Sequence, residues 1–408
     1  MTVGGARRDL ALLLSGALVS TAGSSLTVVA VLIHLRPLGS GWVAAAFAAE
    51  ILPVVLLAAP AGALVDRVRN RELLVAALGV QAAAILLATT ALAPGRQALL
   101  LAALAVVGAG TSVANPTIQA LLPRISGEDG ATRAYGWWSA VTQGGFLAGA
   151  AVAGVLVELA GVRGALVVDG LSYLVLAAAT AFVRTQRHPA REAAEAAEAG
   201  AEAGPDTGSV WRGLAVLRRD PVLRVGVAGL ALVILASIVV NVAEVFYVLG
   251  DLGASPAVYG LVTACWPLAG VPAGILAGRL DGERALLAGL AAAGVAMGLA
   301  LVLAGAVVLL GALVAAWLVG GAANAVQNVS LRALVRARVP DAERGRVSAA
   351  VAAVLQATNL GGLAAGGVVV ALVGARAGLA GAGVLTVLAG AGTWLLARPA
   401  LRDSAGRS

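Results

Sequence analysis

Long apolar stretches succeed one another along almost the whole chain, separated by short charged connections. Crossing the hydrocarbon core of a bilayer, about 30 Å, takes roughly 20 apolar residues at 1.5 Å each. Twelve segments reach that length, near 10–35, 42–65, 73–93, 98–122, 135–159, 164–183, 222–250, 257–280, 285–304, 307–331, 347–373 and 377–397. Of the 408 residues 60% are hydrophobic and 12% charged, an apolar share above that of soluble domains.

The net charge of +7 does not point to nucleic acid, because the arginines sit between apolar runs and not in basic clusters with exposed aromatics on a soluble domain. A single cysteine, Cys265, excludes an intrachain disulfide and a thiolate metal cluster. The chain has no lysine, so it lacks the lysine of an ordinary nucleotide-binding P-loop. No span clusters His, Cys or carboxylates, nor pairs a nucleophile with a base. An enzyme is not expected, and neither a cofactor nor a bound metal.

The arginines also orient the chain. With alternate connections assigned to opposite faces, one face holds 24 of the 28, and the other only Arg36, Arg96, Arg163 and Arg376. By the positive-inside rule both termini are cytoplasmic. The longest connection is Ala/Glu-rich up to about Gly204 and then reads "SVWRGLAVLRRDP" from Ser209. Ser209 is a candidate N-cap, and Trp211, Leu214 and Leu217 repeat at helical spacing opposite Arg212, Arg218 and Arg219. A short helix on the inner membrane surface is predicted there. The expected division is a bundle over 1–184, a cytoplasmic linker over 185–221 and a second bundle over 222–408.

The halves are related. A shift of 213 residues lays "NPTIQALL" from Asn115 on "NVSLRALV" from Asn328, and pairs Arg133 with Arg346, Gly149 with Gly362 and Gly161 with Gly374. A shift of 212 lays "PAGALVDR" at Pro60 on "PAGILAGR" at Pro272. The fold class expected is an all-α membrane protein whose twelve transmembrane helices form two six-helix pseudo-symmetric bundles, the parallel-repeat plan of secondary transporters.

One connection stands out. "GALVDRVRNRE", Gly62 to Glu72, carries five charges in its last seven positions, and Gly278 replaces Asp66 in the second half. Topology explains the arginines but not the aspartate. The stretch resembles the Gly-x-x-x-Asp-Arg-x-x-Arg-Arg loop of the major facilitator superfamily, with Gly62, Asp66, Arg67 and Arg71 matching and Arg69 and Asn70 departing. "NPTIQALLPRISGED", "DGLSYL" from Asp169 and "RARVPDAERGRVSA" from Arg336 are similar to the macrolide-efflux and enterobactin-exporter-like branch. The resemblance implies the major facilitator fold and a cytoplasmic gate in which Asp66 faces the start of the eleventh span, near Arg346 to Ser348. A carboxylate there would gain from the helix dipole and free amide hydrogens.

Carboxylates inside spans are costly and are functional candidates by default. Glu50 lies eight residues into the second span and Glu244 in the outer half of the seventh. Both are candidates for proton coupling, because low dielectric favours the neutral acid. Asp169 fits the family's Asp-x-x-Ser-aromatic pattern and is read as structural, and Glu158 beside Arg163 as an interfacial ion pair. In the family the first, fourth, seventh and tenth helices line the cavity. The corresponding candidates are Ser24, Asn115, Gln119, Asn241, Asn324, Gln327 and Asn328, with Ser20 and Thr27 nearby and Phe246 and Trp317 as apolar surfaces. Such amides and hydroxyls also join helices to one another.

The function predicted is secondary active transport, as proton-coupled efflux of an amphipathic drug or secondary metabolite by alternating access. The alternatives are an uptake permease, in which Glu50 or Glu244 contacts a cationic substrate, and a non-transporting scaffold or sensor. The expected partners are a small-molecule substrate, protons and the lipid bilayer, with no nucleic acid, and the chain is expected to be a monomer. The expected location is the bacterial cytoplasmic (inner) membrane, as a multi-pass protein.

Overall fold

The computed structural model describes residues 3–65, 67–185 and 208–405. The described chain is almost entirely helical: α1 (Val3–Leu35), α2 (Ser40–Leu56), α3 (Ala58–Val65), α4 (Asn70–Ala88), α5 (Gln97–Ser126), α6 (Glu128–Ala181), α7 (Gly208–Arg219), α8 (Pro221–Phe246), α9 (Pro256–Ala277), α10 (Glu283–Ala306), α11 (Leu310–Arg338) and α12 (Asp341–Ala405). Helices are what lipid demands, since each backbone N–H and C=O must be satisfied within its own span. The outward surface is apolar too: Leu56, Leu87, Leu159 and Leu372 are 65, 65, 82 and 79% exposed, which suits contact with lipid and not with water.

Among the described residues nine helices are long and apolar enough to cross a membrane, and α2 with α3, bent by 51°, makes a tenth. The bend has a local cause. Pro60 offers no N–H to the Leu56 carbonyl and its ring crowds that oxygen, so one rung is lost at the bend, while Leu57 still donates to Pro53 at 2.9 Å and accepts from Ala61 at 2.8 Å. Two of the ten segments are double. α6 runs 54 residues and α12 65, and each is broken once, at Gly161 (φ 68°) and at Gly374 (φ 82°). A side chain is strained in that left-handed region and glycine is not. Dividing both gives the twelve spans read from the sequence, with the two breaks at positions 213 residues apart.

Two compact units divide the described chain, one from residues of 1–37, 45–203 and 256–264, the other from residues of 38–44, 204–255 and 265–408. In the first unit α6 flanks α1 with both its halves. Gly145 and Gly149 lie against Leu18 and Ala22, and beyond the break Asp169 and Leu176 lie against Gly23 and Gly16. The first pair of contacts rises in number along both helices and the second runs opposite, so the chain reverses at Gly161. The approach at Gly149 needs glycine, because an added Cβ would lie 2.2 Å from the Ala22 carbonyl oxygen.

The second unit repeats the plan with α8 between the halves of α12, Ile238 meeting Gly362 and Gly366, and Gly229 meeting Thr393. Its α8 starts with Pro221, whose fixed φ and missing N–H suit a first helical position. The Asp220 carboxylate caps it, accepting from the N–H groups of Val222 and Leu223 at 2.9 Å each.

The linker helix α7 forms where predicted, but its rotation differs. Gly213 and Leu217 face inward, with Gly213 so close to Arg346 of α12 that a Cβ would lie 2.2 Å from its carbonyl oxygen. Trp211, 73% exposed, is on the outer face with Arg212, Arg218 and Arg219 and not with Leu217. Close backbone approach, which needs a small residue, set the docked face where apolar bulk did not. Ser209, the expected cap, has no described side chain.

Candidate functional site

In the first unit two polar rungs join α1 to the second half of α6. The Thr27 hydroxyl donates to the Asp169 carboxylate at 2.6 Å, and one turn away the Ser24 and Tyr173 hydroxyls share a hydrogen bond of 3.0 Å. The Ser172 hydroxyl donates to the Asp169 backbone carbonyl at 2.7 Å and lies 3.2 Å from the second carboxylate oxygen. Asp169 is buried, at 1% exposure. Gly23 makes the room, since a Cβ there would lie 2.1 Å from the Ser172 hydroxyl oxygen and 2.7 Å from a carboxylate oxygen of Asp169. The short side chains on one helix thus seat a carboxylate on the other.

Beside the second rung is a cavity of about 240 Å³ whose polar lining comes from Ser20, Ser24, Gln81, Thr111, Asn115 and Tyr173, among others. Gln81, on α4, donates its amide to the Val107 carbonyl and to the Thr111 hydroxyl, each at 3.0 Å. Its own carbonyl oxygen is buried and without a partner, an acceptor left over in the cavity wall. Asn115 is exposed, and Gln119 is exposed one turn further along α5. Glu50, on α2, is half-buried with its backbone against Gly108. Glu158 accepts from the Ala257 N–H at 2.9 Å.

In the second unit Glu244 is buried and accepts from the indole N–H of Trp317 at 2.9 Å, which joins α8 to α11. Trp317 is itself buried, so it serves as the donor to this carboxylate and not as an open apolar wall. Asn241 is exposed, and Phe246, Asn324 and Asn328 are half-buried. The Asn328 amide turns back onto the Asn324 carbonyl at 2.9 Å. Gln327 points elsewhere, buried against Gly294 of α10 with its carbonyl oxygen unpartnered.

Asp66 lies outside the described residues. Around it, Gly62 sits in α3 with open space about it, Arg67 is exposed and Arg71 half-buried. Arg69 pairs with Glu72 at 3.3 Å, both well exposed. Asn70, where the loop departs from the usual pattern, is buried with neither side-chain polar atom partnered.

Ser24 and Asn115, both substrate-cavity candidates from the sequence, line the 240 Å³ cavity of the first unit. Sequence reasoning did not find Gln81, Thr111 or the Ser24–Tyr173 rung. An amide in the middle of the third apolar run was the available signal for Gln81. Among the described residues no three His, Cys, Asp or Glu side chains gather as metal ligands.

Twelve helical spans from a duplicated plan, with polar groups enclosed in each unit, define a multi-pass α-helical membrane protein of the transporter type. The chain belongs to the Major Facilitator Superfamily, which it matches over residues 10–249 and 227–407. It is therefore a membrane transporter of small-molecule substrates. Similar solved structures include a bacterial homologue of the human lysosomal transporter Spinster (13% identity, TM-score 0.72, covering 99% of each chain). A bacterial homologue of the iron transporter ferroportin (15%, 0.73) covers 96% of this chain and 98% of its own. The nucleoside transporter NupG (13%, 0.68) covers 97% and 98%. At these identities the likeness is one of fold. No curated protein sequence matches the chain.

Proposed function

We propose that this transporter exports an amphipathic drug or secondary metabolite in exchange for protons, by alternating access, from the cytoplasm of a bacterial cell across its inner membrane, with both termini cytoplasmic and the chain acting as a monomer. The observation that carries the coupling is Glu244, a carboxylate enclosed within a span and held by a neutral indole donor. Such a group discharges by taking up a proton. Glu50 is the second coupling candidate. The exposed amides Asn115 and Gln119 in the first unit, and Asn241 in the second, are each proposed as polar contacts for a mainly apolar ligand. Similarity to the macrolide-efflux and enterobactin-exporter-like branch supports the direction, and the arginine bias supports the orientation.

The loop Gly62, Asp66, Arg67 and Arg71 is proposed as the cytoplasmic gate. A loop ion pair of about 1 kcal/mol suits a contact that must form and release in each cycle.

The test uses inside-out vesicles with an imposed pH gradient and a panel of amphipathic compounds, ethidium among them. Wild-type protein is expected to dissipate the gradient with at least one compound, and Glu244→Gln or Glu50→Gln to abolish this while still binding it. Labelled compound that moves with no proton movement in the wild type would refute the coupling. Asp66→Asn is expected to lower transport without changing binding, and unchanged transport would remove the gate.

A further inference from the structure

We propose that Asp169 is a proton-binding site of the first unit, exchanging its proton with the polar cavity bordered by Ser24 and Tyr173. The inference rests on the proton-coupled reading for its part in transport, though not for its chemistry.

The geometry carries it. Only hydroxyl groups stand at the Asp169 carboxylate: Thr27 donates to one oxygen, and Ser172, which donates to the Asp169 backbone carbonyl at 2.7 Å, lies 3.2 Å from the other, and among the described residues no cation pairs with it. The titratable groups about it are Glu50 from α2 and Tyr173 from its own helix. α1 presents Gly23 and Thr27, and α4 packs on the neighbouring Gly170 through Leu86. A buried carboxylate with no cation beside it has its charge relieved by a proton. Hydroxyls fit both states, since they donate to the carboxylate and accept from the acid.

Access is also built. Ser24 and Thr27 are one turn apart on α1, as are Tyr173 and Asp169 on α6, so the Ser24–Tyr173 rung stands between the acid and the 240 Å³ cavity. The step is a proton passing from cavity water to a carboxylate oxygen and back, with no other bond made or broken.

The duplicated half argues against a purely structural acid. The shift of 213 residues lays Asp169 on Ala382, Thr27 on Val240 and Gly23 on Ala236. α8 and the second half of α12 nevertheless pack closely, through Gly229 and Thr393. The fold therefore builds this helix pair without the ladder.

Infrared difference spectroscopy on the full-length protein in phosphatidylethanolamine and phosphatidylglycerol vesicles, on changing pH and on exchange into D2O, follows the C=O stretch of protonated carboxyl groups. One band is expected to vanish in Asp169→Asn, shift in Thr27→Val, and persist in both Glu50→Gln and Glu244→Gln. Asparagine keeps the size and accepts from Thr27, which preserves packing. A spectrum unchanged in Asp169→Asn overturns the site, and so does a band that Thr27→Val leaves in place should Asp169→Asn not fold. In the vesicle assay, ethidium-driven proton flux is expected to fall at least tenfold in Asp169→Asn with ethidium binding retained, and unchanged flux would overturn its part in transport. If wild-type protein moves no protons with any compound, the coupling reading fails and the infrared result still decides the site.

Discussion

Arg338 donates from Nε to Asp220 at 2.7 Å and from Nη1 to Glu283, tying the end of α11 to the starts of α8 and α10. The Asp220 carboxylate divides its oxygens, one for the arginine and one for the backbone N–H groups it caps. Arg338 is only 12% exposed, so its removal strands two carboxylates. Arg338→Ala is expected to cost about 2 kcal/mol, between the values of exposed and fully buried pairs. Thermal unfolding in detergent measures it, and a midpoint equal to wild type would refute the network.

Trp317 and Glu244 are expected to be energetically coupled. A double-mutant cycle of Trp317→Phe and Glu244→Gln should give an interaction energy of about 1 kcal/mol, against the near-zero value of independent sites. Additive effects on unfolding would mean that the 2.9 Å contact contributes nothing.

Two glycines should respond oppositely to a methyl group. Gly149→Ala drives a Cβ into the Ala22 carbonyl oxygen at 2.2 Å, and is expected to cost about 1–3 kcal/mol. Gly62→Ala meets nothing within 4 Å in a helix, and is expected to be neutral or stabilising by about 0.5 kcal/mol. Equal effects in the same unfolding assay would show that the close approach at Gly149 is not the constraint.

Linker docking depends on Gly213. Gly213→Leu is expected to lift α7 from the start of the second long helix, where the Arg346 carbonyl now lies close. Trypsin cleavage after Arg212, Arg218 and Arg219 should then accelerate several-fold, and an unchanged cleavage rate would mean that α7 docks elsewhere.

The spans, the duplication and the two breaks were legible because they depend on length, on repeated polar letters and on glycine. Rotation of each helix about its axis was not. In water one apolar stripe marks the inward face, but α1 shows no single apolar stripe and α8 is apolar over most of its circumference, since lipid and bundle interior accept the same side chains. Gln327 was thus read with Asn324 and Asn328, although it turns toward Gly294. Asp169 was read as structural because its motif announces an acid and not its partners. Thr27 and Gly23 lie about 145 residues earlier, on a helix whose inward face the sequence leaves open. Charge patterning likewise set Trp211 against the arginines, because it cannot register that a bare Gly213 would decide which side docks.

The reversal at Gly161 takes a single residue, which makes the spacing from that turn to Asp169 a ruler. Each residue inserted between them would rotate the following helix by about 100° and swing Asp169, Ser172 and Tyr173 away from α1. Epitope tags and fluorescent reporters placed at that turn would therefore abolish the ladder without touching any of its members, which makes the turn the wrong place to label this protein.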